Sequence, residues 1–178
     1  MALTLFYITN EPKIAKIADM YGVDRIWIDL ETLGKEERQK NMDTVKSHHT
    51  IADIRKIKPL LTNAEILVRI NPWNEKSEDE INDVIEAGAD IIMLPMWKSV
   101  EEVYNFISVI NRRTKTSLLL ETKEAVRCLD EVLKLDFDEI HVGLNDLHLS
   151  YGLTFMFELL ANGMVEMLCN KFREKGIP

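Results

Sequence analysis

Polar residues stand where four apolar runs of this sequence end: Asp29 and Glu31 around Leu30, Arg69 and Asn71 around Ile70, Glu121 and Thr122 after three leucines, and Asn145 and Asp146 after Gly143-Leu144. A carboxylate or guanidinium inside such a run is costly to bury without a partner, and a shared polar cluster removes that cost for all of them. Two acidic oxygen ligands on adjacent strand ends are what Mg²⁺ or Mn²⁺ uses when waters and a chelating substrate fill the remaining octahedral positions. An arginine beside them grips a substrate carboxylate bidentately. Each residue also has an ordinary use: Asp146 can cap the turn at 147–149, and Arg69 can fork onto a protein carboxylate.

The elements that would carry these residues follow from hydrophobic spacing. Short β-branched runs alternate with longer stretches of helical periodicity, the pattern of repeated β-α units around a parallel sheet. Strands are expected at residues 3–9, 25–30, 65–70, 90–95, 117–121 and 139–143. Pro12 suits a first helical turn, with Ile14, Ile17, Ala18 and Tyr21 as an inward stripe that stops at Gly22. Ser77 with Glu80 and Ser99 with Glu102 read as capping boxes. The first of these helices turns Ile81, Val84 and Ile85 inward and ends at Gly88, and the second turns Val100, Val103, Tyr104, Ile107 and Ile110 inward. Three helix-to-strand joins each set an aspartate just before an apolar strand, at Asp24, Asp90 and Asp138. This weak repetition favours a (β/α) barrel over a doubly wound sheet. No GxGxxG or GxxxxGK[ST] loop follows a strand. A helix over 154–174 with Gly163 as a break, a stop at Gly176 and Ile177-Pro178 opening a further strand complete the reading. About two more units would close an eight-stranded barrel, so a single domain over 1–178, shortened at its C-terminus to about six of eight units, is expected.

The 178 residues carry Lys+Arg 22 against Asp+Glu 30, a net charge of -8, with 46% hydrophobic residues. One domain of about 100–200 residues can bury a sizeable core. An acidic surface without Lys/Arg blocks is repelled by phosphodiester backbones and anionic lipid, which argues against nucleic-acid and membrane partners. No apolar run approaches the ~20 residues of a membrane span and the N-terminus lacks a leader pattern, so a cytoplasmic location is expected. Cys128 and Cys169, without metal spacing, read as reduced thiols.

Several phrases together resemble one family. Val23-Asp24-Arg25-Ile26-Trp27-Ile28-Asp29-Leu30-Glu31, Leu67-Val68-Arg69-Ile70-Asn71, Glu86-Ala87-Gly88-Ala89-Asp90, Leu120-Glu121-Thr122 and His141-Val142-Gly143-Leu144-Asn145-Asp146-Leu147 resemble, in order along nearly the whole chain, the HpcH/HpaI aldolase and citrate lyase β-subunit family. The resemblance implies a (β/α) barrel of the pyruvate- and phosphoenolpyruvate-handling type, with a divalent metal, Mg²⁺ or Mn²⁺, and C–C chemistry next to a 2-oxo acid or CoA thioester. It implies metal ligation by Glu121 and Asp146 and carboxylate recognition by Arg69, with Asn145 in the substrate site. The aldolase branch places a histidine directly after the Asp-x-Glu phrase, paired with the aspartate. Here Thr32 stands there, and a charged stretch at 33–40 intervenes. His49-Thr50-Ile51-Ala52-Asp53 resembles the phrase that normally follows, so His49, with His48 as the alternate, is the candidate base, together with Asp29 and Glu31. His141 and His148 are read as supporting or structural groups.

The sequence thus predicts a metal-dependent lyase or aldolase acting on small 2-oxo acids and aldehydes and self-associating as a homo-oligomer. A CoA-thioester lyase, with Lys35, Arg38 and Lys40 toward CoA phosphates, and a catalytically silent relative with a binding or assembly role are the alternatives.

Overall fold

The computed structural model describes residues 3–34 and 48–178. They fall into two compact units, Met1–Met93 and Leu94–Pro178. Lys35, Arg38 and Lys40 lie outside the described residues, as does most of the charged stretch at 33–40.

In the first unit the order is β1 (Phe6–Ile8), α1 (Pro12–Met20), β2 (Arg25–Asp29), α2 (Ile51–Ile57), a 3₁₀ turn (Lys58–Leu60), β3 (Glu65–Arg69), α3 (Ser77–Ala87) and β4 (Ile91–Leu94). β2 pairs in parallel with β1 and with β3, and β3 with β4, in registers that set Ile8 beside Trp27, Asp29 beside Arg69 and Arg69 beside Met93. Ile26, Ile28, Ile66, Leu67, Val68, Ile91 and Ile92 are fully buried. Strands covered on both faces read as continuous apolar runs, and for that reason they are recognisable in sequence.

The second unit contains α4 (Val100–Ile110), β5 (Lys115–Leu120), α5 (Lys123–Val132), β6 (Glu139–Val142), α6 (Leu144–Ser150), α7 (Glu158–Ala161) and α8 (Met164–Glu174). β5 and β6 are parallel, with Leu120 beside Val142. The helix expected over 154–174 is two helices, divided at Gly163, whose φ of 81° suits glycine. Gly176 takes φ 68°, and the Pro178 carbonyl accepts the Ile140 amide at 3.2 Å, so the last residues run beside β6. The α/β class with six β-α units of the barrel type is the class observed.

The repeated aspartates have one physical purpose. Asp24 accepts the Leu5 amide at 2.7 Å, Asp90 the Ile66 amide at 2.8 Å and Asp138 the Thr116 amide at 2.7 Å. Each carboxylate caps a backbone N–H at the beginning of the preceding strand, where no ladder partner exists.

Three expectations about helix faces and caps are corrected. Ile14 and Ile17 of α1 are about half exposed, and Tyr21 is 84% exposed; of the expected stripe Ala18 alone faces the core, with Ala15 and Asp19. The reason is Asp19, whose oxygens accept the amides of Thr62, Asn63 and Ala64 at 2.9, 2.9 and 2.6 Å. Burial pushes the Asp19 carboxyl up, but the three amides outweigh it and hold it below the usual carboxylate value. Ser77 does not cap α3 by a box: its Oγ accepts the Asn74 amide at 2.8 Å, and Glu80 turns away to Asn71. Ser99 does cap α4, accepting the Glu102 amide at 3.2 Å, while the Glu102 carboxylate reaches the Lys98 amide. In α4 the buried residues are Val103, Phe106 and Ile110, and Tyr104 lies outside at 59% exposure. Cys128 and Cys169 are free thiols, and no described helix is long and apolar enough to cross a membrane.

Candidate active site

At the carboxyl ends of β2 and β3 in the first unit, Asp29 and Arg69 form a two-pronged ion pair. Arg69 Nε donates to Oδ1 and Nη2 to Oδ2, each at 2.9 Å. Their Cα register across the parallel ladder puts the two side chains side by side, so the fork needs no loop to build it. Glu31 adds a second carboxylate at 3.3 Å from Nη1, and the guanidinium lies 5.3 Å from the centre of the Trp27 ring. Asp29 and Glu31 are each 3% exposed.

Asn71, the other polar residue of this strand end, staples the chain after β2. Its Oδ1 accepts the amides of Thr32 and Leu33 at 2.9 and 3.0 Å, and its Nδ2 donates to Glu80 at 2.8 Å. Burial pushes the Glu80 carboxyl up, against the pull of its two Asn71 hydrogen bonds.

His49 enters this cluster from the turn before α2. A capping box fixes that turn: the Thr50 amide and hydroxyl both donate to Asp53 Oδ2 at 2.9 Å. The contact between His49 and Asp29 runs through the backbone, with the Asp29 amide donating to Nδ1 at 2.9 Å. The Asp29 carboxylate itself forks onto Arg69. His48 is exposed.

In the second unit, Glu121 follows β5 directly and is 3% exposed. Its Oε1 accepts the Met96 amide at 3.0 Å. Met96 holds φ 54°, a left-handed conformation uncommon for a side chain of this size, and that turn points its N–H at the carboxylate. Next in sequence, Thr122 donates to the Trp97 carbonyl at 2.8 Å and accepts the Ala125 amide at 3.0 Å, so one residue ties the loop and caps α5. Gly143, at the end of β6, lies against Glu121: a Cβ there would stand 2.9 Å from both Cβ and Oε2 of Glu121. Asn145 and Asp146 lie in the first turn of α6, half-buried. His148 is buried, its Nδ1 3.3 Å from the Leu144 carbonyl one turn back in the same helix, which is a structural contact. Met96 and Gly143 were not singled out from sequence. A glycine between a strand and a polar pair is the one available signal of close approach; nothing in the sequence marks Met96.

Among the described residues no group of three or more His, Cys, Asp or Glu side chains converges on one point. The donor chemistry still fits a hard cation of the Mg²⁺ type. Glu121 and Asp146 supply carboxylate oxygens, and such ions keep several waters and use one or two carboxylates. Without a Cβ, Gly143 lets the Glu121 carboxylate pack close against the end of β6.

The arrangement is that of an α/β protein with buried carboxylates at strand carboxyl ends, where this architecture binds ligands. The sequence model of the HpcH/HpaI aldolase/citrate lyase family matches residues 2–158, and the chain belongs to that family. Among curated proteins none matches. The chain superposes on the crystal structure of citrate synthase SbnG with a TM-score of 0.73 at 18% identity, covering 98% of this chain and 74% of that one, which establishes a shared fold.

Proposed function

We propose that this chain is a divalent-metal-dependent lyase that makes or cleaves a C–C bond adjacent to a 2-oxo acid. The observation that carries the reading is Glu121: a carboxylate 3% exposed at a strand carboxyl end, oriented by a backbone amide and given space by a glycine. Glu121 and Asp146 would hold Mg²⁺ or Mn²⁺, which stabilises the negative charge that develops on the 2-oxo acid during bond cleavage or formation. Met96 donates to one Glu121 oxygen and so fixes which one faces the cation. Arg69 binds the substrate carboxylate, displacing Glu31 from Nη1, and Asn145 contributes a further polar contact. His49, Asp29 and Glu31 handle the proton. Family membership supports this reaction class over the silent alternative.

The test is a calorimetric titration of metal-stripped protein with Mg²⁺ or Mn²⁺, with and without pyruvate or oxalate. Binding tightened by the 2-oxo acid and lost in Glu121→Gln is the expected result. No heat in either condition would overturn the reading. We also propose self-association of the chain, since Leu5, Tyr7, Ile8, Ile17, Met20 and Tyr21 of the first unit are 46 to 84% exposed. Sedimentation at micromolar concentration checks it, and a monomer there refutes it.

A further inference from the structure

We infer that His49 serves the reaction as a neutral hydrogen-bond donor through Nε2–H, and that the proton-abstracting base is a carboxylate. The inference rests on the lyase reading for the identity of the substrate, while the state of the ring is argued from the fold alone.

A neutral imidazole has one N–H and one lone pair on its two ring nitrogens. The Asp29 amide donates to Nδ1 at 2.9 Å, so the lone pair is at Nδ1 and the hydrogen at Nε2. A hydroxyl, a water or a carboxyl group opposite Nδ1 could reverse its role; a peptide N–H can only donate. A carboxylate opposite Nδ1 has the contrary effect: it holds Nδ1–H and leaves the Nε2 lone pair to act as a base. Exchanging the carboxylate for an amide inverts the ring.

Both partners of this bond are held by the fold. The Arg25 amide donates to the Leu5 carbonyl and the Trp27 carbonyl accepts the Thr9 amide, so the Asp29 amide is the next group on the same edge of β2. β1 ends at Ile8, and the imidazole stands where a further strand residue would have offered a carbonyl. On the other side, the Thr50–Asp53 capping box fixes the residue after His49. Asp29, Glu31 and Arg69 at the strand ends are engaged with one another, and Asp53 of α2 with the Thr50 amide and hydroxyl. Taking up a proton at Nδ1 forfeits the amide bond and sets two donors face to face.

A donor of this kind suits an oxygen on which negative charge develops, either the carbonyl oxygen of the 2-oxo acid or that of the departing aldehyde. Neutral imidazole in such an electrophilic role has a precedent in triosephosphate isomerase. Proton removal then falls to Asp29 or Glu31, and Glu31 is the one a substrate carboxylate displaces.

The first measurement is a two-bond ¹H–¹⁵N correlation spectrum of the full chain labelled in its four histidines at neutral pH, with His49 assigned by its loss in His49→Gln. Protonated Nε2 with unprotonated Nδ1 is expected. The opposite tautomer, or a doubly protonated ring, overturns the inference. The second compares two variants in a C–C cleavage assay with a 2-oxo acid and Mn²⁺. His49→Asn offers a carbonyl oxygen near the Nδ1 position and no donor at Nε2; His49→Gln reaches the Nε2 position with an amide N–H. We expect His49→Gln to keep kcat within about tenfold and His49→Asn to lose about a hundredfold or more, while His49→Asn keeps the higher Tm. Equal losses of kcat in both would make His49 the base. A wild-type chain without lyase activity would defeat the functional reading, and the tautomer would still decide the state of His49.

Discussion

The two ends of the strands use the same residue types in opposite ways. At the amino ends, Asp19, Asp24, Asp90 and Asp138 commit their oxygens to backbone amides that nothing else can satisfy. Asp90 is additionally clamped by Lys58, with Nζ 2.6 Å from Oδ2. At the carboxyl ends, Asp29 and Glu31 share one guanidinium, and Glu121 accepts the Met96 amide through Oε1. Amides are part of the fold and do not leave. A guanidinium can exchange one carboxylate for another, and a cation or substrate can compete for it. Burial alone does not separate the two kinds of carboxylate, since Asp19 is 4% exposed and Glu121 3%. The kind of partner does.

The sharpest way to break this contrast is at Glu121. Glu121→Gln keeps an oxygen for the Met96 amide and removes the charge, so the expected outcome is a loss of metal-dependent activity on the order of a thousandfold, beyond the 10–100-fold typical of changes one shell further out. The urea midpoint should barely move. A collapse of stability with no metal effect would place Glu121 with the amino-end aspartates.

The opposite result is expected of Asp19→Ala, which strands three amides. Unsatisfied buried donors cost about 1–3 kcal/mol each when fully desolvated; with partial rescue by water we expect about 3 kcal/mol in urea denaturation, and unchanged kcat in what remains folded. The pH dependence has a definite sign. Because the folded carboxyl is held below its unfolded value, its contribution is present above the ordinary aspartate pKa of about 3.9 and is lost as pH falls through the lowered folded value. Acid unfolding of Asp19→Ala should therefore be shallower than that of the wild type below about pH 4.

How much of this could be read in the sequence divides along the same line. The strands were legible to within about three residues at either end, because runs such as Ile66, Leu67 and Val68 are buried on both faces and carry no competing helical period. The Asp29–Arg69 pair was legible as a cost that demanded a partner. The aspartate before each strand was visible as repetition, but its purpose depends on which neighbouring strand begins alongside. α1 was misread because its outward isoleucines outweigh Ala15 in any apolar count, whereas Asp19 decides the orientation through amides 43 to 45 residues away. The His49–Asp29 contact spans 20 residues and exists because β1 is short, which local spacing does not report.

Gly143→Ala sharpens the comparison from the side of space. The new Cβ would meet Glu121 Cβ and Oε2 at 2.9 Å and Leu119 Cδ1 at 3.3 Å, all within contact distance. Relief requires Glu121 to move, so we expect about 1–2 kcal/mol of overpacking together with roughly tenfold weaker Mn²⁺ binding by calorimetry. Weaker stability with unchanged binding would show that Oε2 is not turned to a cation.

The smallest effect is expected at Glu80, a carboxylate of neither kind. It serves Asn71, which in turn holds the Thr32 and Leu33 amides, and burial holds its carboxyl above the usual glutamate range. The sign is the reverse of that for Asp19. With the folded value raised, ionisation of Glu80 weakens the fold as pH rises from the unfolded value of about 4.3 through the raised folded value, so a neutral isostere gains at neutral pH and not in acid. Glu80→Gln keeps an acceptor for the Asn71 side chain and should stabilise the chain by a few tenths of a kcal/mol at pH 7, the difference vanishing near pH 3 in parallel urea titrations. A loss at pH 7 would mean that Asn71 needs the negative charge itself, since charge-assisted hydrogen bonds are roughly twice as strong as neutral ones. The chain after β2 would then depend on a charge that the fold pays to bury.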